Sequence, residues 1–293
     1  MTIPSIAVAI TKSFGDFVIA HSVLHTVEDN AKDRVRLIAC GHLKRLNASL
    51  PNDVRVTFVN SGDEHVPALF DLKKRGAIAA VNSAFSLRRA FQEIERVHNE
   101  ALAFHMLGVR ERFIAGRWPV IAPRNRGANI YETYHQFLAE QQIRASPALL
   151  PIRAGNARSV GVFSESRLVE KRLTAPTLSL IFNRAAAAGI DAKLFILDGD
   201  PVPQLEVPRV ANIPRNFESL ADAICSVESV VSADSLPAHL AEYFARPVFV
   251  ASSRPNEYWL PFGCFAAKHW GVFGNAAEFS ASLDAFFAEL RAA

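Results

Sequence analysis

The sequence of 293 residues has little cysteine, little glycine and no long apolar run. Its three cysteines, Cys40, Cys225 and Cys264, lie far apart and form neither a CxxC pair nor a Cys/His metal spacing. This pattern argues against a metal site and favours buried thiols in a reducing cytosol. The 14 glycines and 16 prolines are too few for a collagen-like or low-complexity chain. No apolar run approaches the roughly 18 residues that span a bilayer, so we expect a cytoplasmic protein without a transmembrane segment.

The sequence also lacks a large excess of either positive or negative charge. Lys and Arg number 32 against 29 Asp and Glu, and the net charge of +3 is too mild to predict nucleic-acid binding. Apolar residues make up 50% and charged residues 21% of the chain, which excludes a largely disordered protein. The opening stretch has no basic flank and no cleavage site of small residues, so we interpret it as a first strand rather than a signal peptide.

Short apolar runs alternate with amphipathic stretches, which predicts doubly wound parallel sheets. The predicted strands are residues 6–10, 35–39, 54–59, 78–81, 159–163, 192–197, 229–231 and 247–251. The predicted helices are residues 17–27, 64–74, 84–95, 131–142, 175–188, 217–225, 237–244 and 276–290. Residues 116–129, with two prolines, two glycines and three arginines, are predicted to form a loop.

A linker divides this pattern into two halves. Residues 145–156 carry two prolines and a glycine, so we place an N-terminal domain at residues 1–152 and a C-terminal domain at residues 153–293. Each half has the alternation of a Rossmann-like domain, and a ligand cleft is expected between them. In such sheets, ligands bind beyond the carboxyl ends of the strands.

The turn after the first predicted strand is the first candidate site. It contains Gly15, which allows close backbone approach, and Asp16 at the start of the following helix. Two interpretations of Asp16 are possible: it is a helix N-cap that accepts hydrogen bonds from backbone N–H groups, or it is a base directed into the cleft. The turn lacks the glycines of GxGxxG, so a dinucleotide site is not expected.

A second candidate site follows the strand at 229–231. Asp234 and Ser235 end that strand, and a helix is predicted to begin near Pro237, a residue favoured in the first helical turn. Backbone N–H groups at such a turn suit a phosphate. His239 lies about one helical turn further on, and it is either part of the site or a helix-face histidine with its hydrogen bonds satisfied.

A third candidate site follows the strand at 159–163. Ser164 and Ser166 can donate hydrogen bonds to phosphate oxygens, and Lys171 with the neighbouring arginines supplies positive charge. The alternative is a solvated charged loop. The acidic turn at residues 198–200 can contact a ribose hydroxyl, or it is simply a turn.

The order of these motifs resembles the heptosyltransferase family, the glycosyltransferase family 9 enzymes of lipopolysaccharide core assembly. The family's opening S-x-G-D stands here as Ser13-Phe14-Gly15-Asp16. The family's D-[ST]-G-x-x-H-L-A stands as residues 234–241, and its P-x-x-x-W-x-P-x-G loop stands as residues 255–263. A looser match is the Lys-Arg pair at residues 171–172. The chain departs from the family at Leu236, where the motif has glycine, and a side chain there is expected to crowd a diphosphate or to change the backbone of the turn.

The resemblance implies the GT-B architecture, in which two Rossmann-like domains face each other across a cleft. It also implies that Asp16 is the catalytic base and Lys171 a ligand of the donor diphosphate. The remaining residues that we assign to donor and nucleotide binding are Ser13, Gly15, Ser164, Ser166, Asp234, Ser235, Leu236 and His239.

The implied function is inverting transfer of a sugar, heptose in this family, from a nucleotide diphosphate sugar to an acceptor hydroxyl in lipopolysaccharide or related glycan synthesis. The expected partners are an ADP-linked sugar donor and a glycan or glycolipid acceptor, with no nucleic acid, metal or other cofactor. The apolar and basic residues between 113 and 126 suit peripheral contact with the inner face of the membrane. Two alternatives stay open: a transferase with another donor and a protein or small-molecule acceptor, and a catalytically silent relative that binds a nucleotide sugar.

Overall fold

The computed structural model describes residues 5–11, 13–59, 77–98, 101–105, 112, 114–122, 127–146, 158–200 and 209–292. The chain divides into two compact units, Met1–Ala148 and Leu149–Ala293. The predicted boundary at 152/153 falls outside the described residues and stays a prediction. The predicted helix at 64–74 and residues 113 and 123–126 of the predicted membrane contact also lie outside the described residues. Within the described ranges, every helix is too short or too polar to cross a bilayer.

The first unit is built on a parallel sheet. Its described strands are β1 (Ile6–Ile10), β2 (Val35–Cys40), β3 (Val56–Val59), β4 (Ala101–His105) and β5 (Val120–Ile121), and its described α-helices are α1 (Phe14–His25), α2 (Lys44–Ala48), α3 (Ala77–His98) and α4 (Ile130–Glu140). The strand order is β3-β2-β1-β4-β5. All five residues of β1 are buried, as expected for a central strand covered on both faces. The strand order reverses between β1 and β4, and this switch point is where doubly wound sheets bind ligands.

A capping box begins α4. The side chain of Asn129 accepts a hydrogen bond of 2.9 Å from the backbone N–H of Tyr131. The backbone N–H of Asn129 donates to Glu132 Oε2, also at 2.9 Å. These reciprocal bonds satisfy N–H groups that have no partner within the helix. Because Asn129 is fully buried, the box fixes the start of the helix against the rest of the unit.

The second unit repeats the architecture with six parallel strands. These are β6 (Ser159–Phe163), β7 (Asp191–Leu197), β8 (Val210–Ile213), β9 (Ser229–Ala233), β10 (Val248–Ser252) and β11 (Trp270–Val272), and the helices are α5 (Ala175–Ala187), α6 (Phe217–Cys225), α7 (Leu236–Tyr243), α8 (Phe262–Ala267) and α9 (Ala276–Ala292). The strand order β8-β7-β6-β9-β10-β11 is the 3-2-1-4-5-6 order of the Rossmann fold, with its switch point between β6 and β9. The predicted class of two doubly wound α/β domains is therefore confirmed.

One face of the second sheet is covered by α5 and α9. The aromatic residues Phe279, Phe286 and Phe287 of α9 are buried, and the first two contact the ring of Phe249 on β10. A Cβ atom at Gly271 on β11 would lie 2.9 Å from the Phe279 ring, so glycine permits the close approach of α9 to the sheet. Burial of this apolar surface holds the helix in place.

Several sequence predictions differ from the structure. Residues 78–81, predicted as a strand, lie inside α3, and the buried strand that follows is β4. Their apolar run belongs to a helical pattern in which Leu87 and Phe91, four residues apart, are both buried. The predicted loop at 116–129 contains the two-residue strand β5. Cys225, predicted to be buried, is exposed, since it ends the surface helix α6.

Candidate functional site

Asp16 lies at the carboxyl edge of the first sheet, beside the switch point. It is the third residue of α1, and Ser13 occupies the N-cap position. The interpretation of Asp16 as the N-cap is therefore wrong. The side chain of Asp16 is 10% exposed, and a carboxylate in the first turn of a helix is stabilised by the N–H groups there.

A buried histidine faces this carboxylate. The last residue of β4 is His105, whose Nε2 lies 3.4 Å from Asp16 Oδ1. On the other side of the ring, His105 Nδ1 lies 2.7 Å from the hydroxyl of Tyr134 on α4. The rings of His105 and Tyr134 are stacked with centroids 5.6 Å apart. The structure thus joins three polar side chains from α1, β4 and α4 at one edge of the sheet.

In the second unit, a compact polar cluster lies at the carboxyl ends of β6, β9 and β10. Asp234 Oδ2 accepts hydrogen bonds of 2.7 Å from Lys171 Nζ and 2.7 Å from Asn256 Nδ2. The side chains of Lys171 and Asp234 are only 19% and 9% exposed. Three separate loops therefore place an ammonium group, a carboxylate and an amide together at the switch point of this sheet.

The start of α7 lies in the same cluster. Ser235 is its N-cap residue, and its hydroxyl donates to the carbonyl of Glu165 at 3.1 Å. Leu236 is the first residue of α7, one position before the start predicted at Pro237. Its backbone φ does not lie in the positive range that favours glycine. The leucine therefore has a backbone conformation that is ordinary for a helical residue, and the expected effect of its side chain on a diphosphate or on the turn stays a prediction. His239 is buried on the same helix at 6% exposure.

The loop after β6 is tied to the protein. Arg172 Nε lies 3.1 Å from Glu165 Oε2 and donates to the carbonyl of Ser166 at 3.0 Å. Burial raises the pKa of Glu165, and the guanidinium of Arg172 opposes that rise. The Ser166 hydroxyl accepts a hydrogen bond of 3.3 Å from the N–H of Leu168, and Ser164 is 1% exposed. These bonds hold the two ends of the segment, whereas residues 167–170 between them are exposed to solvent, as expected for a solvated loop.

The acidic turn after β7 is held by an arginine. Arg215 Nε donates to the carbonyl of Asp198 at 2.8 Å, and Arg215 also pairs with the carboxylate of Asp200. Gly199 between them has φ of +86°, which explains the glycine at this position. The turn therefore has a structural explanation that needs no ribose.

A carboxylate links α7, the helix that carries most of the motif at residues 234–241, to the loop at residues 255–263. Glu242 on α7 accepts hydrogen bonds from the N–H groups of Phe262 at 2.7 Å and Gly263 at 2.6 Å. Burial raises the pKa of Glu242 to about 7, against the opposing effect of these bonds. A Cβ atom at Gly263 would lie 3.2 Å from the carboxylate, so the motif's last glycine permits this contact.

The structure brings Lys171, Asp234 and Ser235 together in one unit and places Asp16 in the other. Sequence reasoning missed four polar side chains at these sites: His105, Tyr134, Glu242 and Asn256. Asn256 lies inside the quoted P-x-x-x-W loop and could have been identified there. His105 ends a short apolar run, ALAFH, that was not recognised as a strand.

Neither a protein-family model nor a curated protein sequence matches the chain. Solved structures do match. A glycosyl transferase family 9 protein from Veillonella parvula aligns with a TM-score of 0.62 and 14% identity over 100% of this chain and 96% of that chain. Heptosyltransferase WaaC from E. coli with ADP aligns with a TM-score of 0.59 and 13% identity over 98% of this chain and 99% of that one. The same enzyme with ADP-2-deoxy-2-fluoro heptose aligns with a TM-score of 0.58 and 14% identity, over 97% and 99% of the two chains. The chain therefore has the fold of these family 9 glycosyltransferases, and the GT-B fold class predicted from its motifs is confirmed.

Proposed function

We propose that the protein is an inverting glycosyltransferase that moves heptose from ADP-heptose to a hydroxyl of a glycan or glycolipid. The observation that carries the proposal is the buried carboxylate of Asp16 at the switch point of the first sheet. The polar cluster at the switch point of the second sheet supports it. Similar folds solved with ADP and with a fluorinated ADP-heptose point to the class of donor.

The acceptor side of the reaction needs a base. A hydroxyl is a poor nucleophile at neutral pH, so a carboxylate must take its proton as the new bond forms. Asp16 has the buried position at the sheet edge that suits this role. The acceptor oxygen attacks the anomeric carbon from the face opposite the diphosphate, the bond to the β-phosphate oxygen breaks, and the acceptor proton passes to Asp16. ADP leaves with the bonding electrons, and the configuration at the anomeric carbon inverts.

The donor side must offset the negative charge that develops on the diphosphate. Lys171 supplies a cation, and the N–H groups at the start of α7 supply hydrogen-bond donors beside it. Asp234 and Asn256 hold this part of the site together through the contacts already described. The side chains of the described cluster can thus perform the electrostatic work that other transferases assign to a metal ion.

The test uses ADP-heptose and heptose-free lipopolysaccharide, with transfer followed by the mass increase of the acceptor. Asp16→Asn should lower the rate of transfer by a factor of about 10² to 10⁴, the usual contribution of a general base, while calorimetry shows unchanged ADP binding. Glu218→Gln is the matched control, since it also removes a first-turn helix carboxylate but one that is exposed on α6. Near wild-type transfer by Asp16→Asn would refute the assignment of the base.

Leu236 favours a second candidate, a transferase with a different donor. Its half-buried side chain stands where the family motif has glycine, in the first turn of α7. Calorimetry with UDP sugars separates the two candidates, because binding of UDP sugars without binding of ADP would select the second. Binding of ADP without transfer to any glycan acceptor would instead indicate a catalytically silent protein. Peripheral contact with a membrane surface belongs to the proposal only if the acceptor proves to be a glycolipid.

A further inference from the structure

We infer that His105 and Tyr134 are positioning residues for Asp16. The Tyr134 hydroxyl holds the His105 ring in one orientation through Nδ1, and the ring in turn holds the Asp16 carboxylate in place. The inference rests on the proposed function of Asp16 as the base, and it deepens it. Neither residue belongs to a motif quoted from the sequence, and neither is expected to touch the substrate.

The first support is the geometry of the chain of contacts. Tyr134 is 0% exposed, and the side chain of His105 is 1% exposed. The imidazole lies between a phenol at 2.7 Å and a carboxylate at 3.4 Å, one at each ring nitrogen. The longer distance exceeds an ideal N–H···O bond, and such bonds at catalytic sites often tighten only when substrate binds.

The second support is the inventory of donors and acceptors. An ionised carboxylate has no hydrogen to donate, so the interaction with Asp16 requires a hydrogen on His105 Nε2. In a neutral imidazole the other nitrogen, Nδ1, is then an acceptor, and it must accept from the Tyr134 hydroxyl. For the neutral ring, Tyr134 therefore donates to His105 Nδ1, and the hydrogen on His105 Nε2 faces the Asp16 carboxylate.

The third support is the rigidity of the elements that carry these groups. His105 ends a strand that pairs with β1, and Tyr134 lies in α4, whose start is fixed by the buried capping box of Asn129. A base must be within hydrogen-bond reach of the acceptor hydroxyl, and a displacement of about 1 Å can lower a rate about 10²-fold. Holding the Asp16 carboxylate in place is thus a function that this network can perform.

Kinetics of three variants test the inference, with initial rates of ADP release measured from ADP-heptose and heptose-free lipopolysaccharide. His105→Phe keeps a ring but removes both nitrogens, and kcat should fall about 10- to 100-fold while the KM for ADP-heptose stays within twofold. His105→Gln places an amide N–H near the position of Nε2 and should recover most of kcat. Tyr134→Phe removes only the hydroxyl and should lower kcat by a smaller factor, on the order of tenfold.

His21→Gln is the matched control. His21 is a second fully buried histidine of the same unit, located five residues after Asp16 on α1. This variant should alter stability but leave kcat within twofold of wild type. A His105→Phe variant that folds and also keeps kcat within twofold would overturn the inference, and so would failure of His105→Gln to restore any of the lost kcat.

A measurement without substrate makes the inference independent of transfer. Two-bond ¹H–¹⁵N correlation spectra of the wild-type protein at pH 8 report which nitrogen of each histidine carries hydrogen. The Nε2–H tautomer is expected at His105, and it should persist in Tyr134→Phe because the Asp16 carboxylate still requires a hydrogen on Nε2. An Nδ1–H tautomer in the wild type would overturn the inference even if transfer is observed. Conversely, absence of transfer with the expected tautomer would refute the proposed function and leave the hydrogen-bond network standing.

Discussion

Substitution of Asp234 by asparagine tests whether the polar cluster of the second unit is a stabilised ion pair. In the wild type, Oδ2 of Asp234 accepts from Lys171 Nζ and Asn256 Nδ2, each at 2.7 Å. Asp234→Asn keeps the shape of the side chain but removes the negative charge. The ammonium of Lys171, whose side chain is 19% exposed, then stands without its anion.

The size of the effect follows from this burial. Removing one partner of a fully buried pair costs about 3–5 kcal/mol, because the remaining charge is desolvated and uncompensated. Water reaches part of the Lys171 side chain and the asparagine oxygen can still accept one bond, so we expect a smaller loss, about 2–3 kcal/mol. Urea unfolding at pH 7, followed by tryptophan fluorescence, measures this loss in the free energy of unfolding. Trp259 and Trp270 both lie in this unit and report on it.

Asp284→Asn is the control for this prediction. Asp284 pairs with Arg184 at 3.2 Å, but the two side chains are 47% and 42% exposed. An exposed pair contributes about 0–1 kcal/mol, so the control should lose less than 1 kcal/mol. A double-mutant cycle of Asp234→Asn with Lys171→Met should give a coupling energy of at least about 1 kcal/mol. Equal losses for Asp234→Asn and Asp284→Asn, or strict additivity in the cycle, would refute the reasoning.

Two groups whose pKa values are shifted in the folded protein, Glu242 and His21, predict opposite pH dependences of stability in the two units. Desolvation raises the pKa of Glu242 to about 7, above its value in the unfolded chain. The contribution of this group to stability is therefore present below pH ~4.5 and is lost as the pH rises to ~7. Glu242→Gln should remove this pH dependence, which is worth about 3 kcal/mol at most. Burial lowers the pKa of His21 to about 4. The contribution of His21 to stability is therefore present above pH ~6.5 and is lost as the pH falls to ~4. His21→Gln should make the stability of the first unit less sensitive to acid over that range, by about 3 kcal/mol at most. Urea unfolding of wild type and variants between pH 4 and pH 7.5 checks both, and identical pH profiles for a variant and the wild type would contradict that assignment.

Much of the secondary structure was accessible from the sequence because the central strands are continuous apolar runs. In β1, β2 and β9 nearly every residue is buried, and such runs bounded by polar turns stand out without any tertiary information. Edge strands gave no such signal. The residues of β8 alternate between exposed and half-buried, and β5 has only two residues. The error at residues 78–81 has the same origin, because a short apolar run is compatible with either a strand or a helix.

Some residues of the candidate site could likewise be found from the sequence, and others could not. Asp16, Lys171, Asp234 and Ser235 each follow a predicted strand, and local order along the chain was enough to single them out. The partners that organise them lie far away in sequence: His105 is 89 residues after Asp16, and Asn256 is 22 residues after Asp234. No periodicity or spacing connects such pairs.

By itself, the sequence determined the two doubly wound halves, the polar residues at the ends of their central strands, and the departure at Leu236. Only the tertiary structure decided that Asp234 joins Lys171 to Asn256, that Glu242 binds the glycine loop, and that a histidine and a tyrosine stand behind Asp16. The physical reason is that apolar periodicity is a local property that burial imposes on each element, whereas hydrogen bonds between side chains depend on which strands become neighbours when the sheet forms.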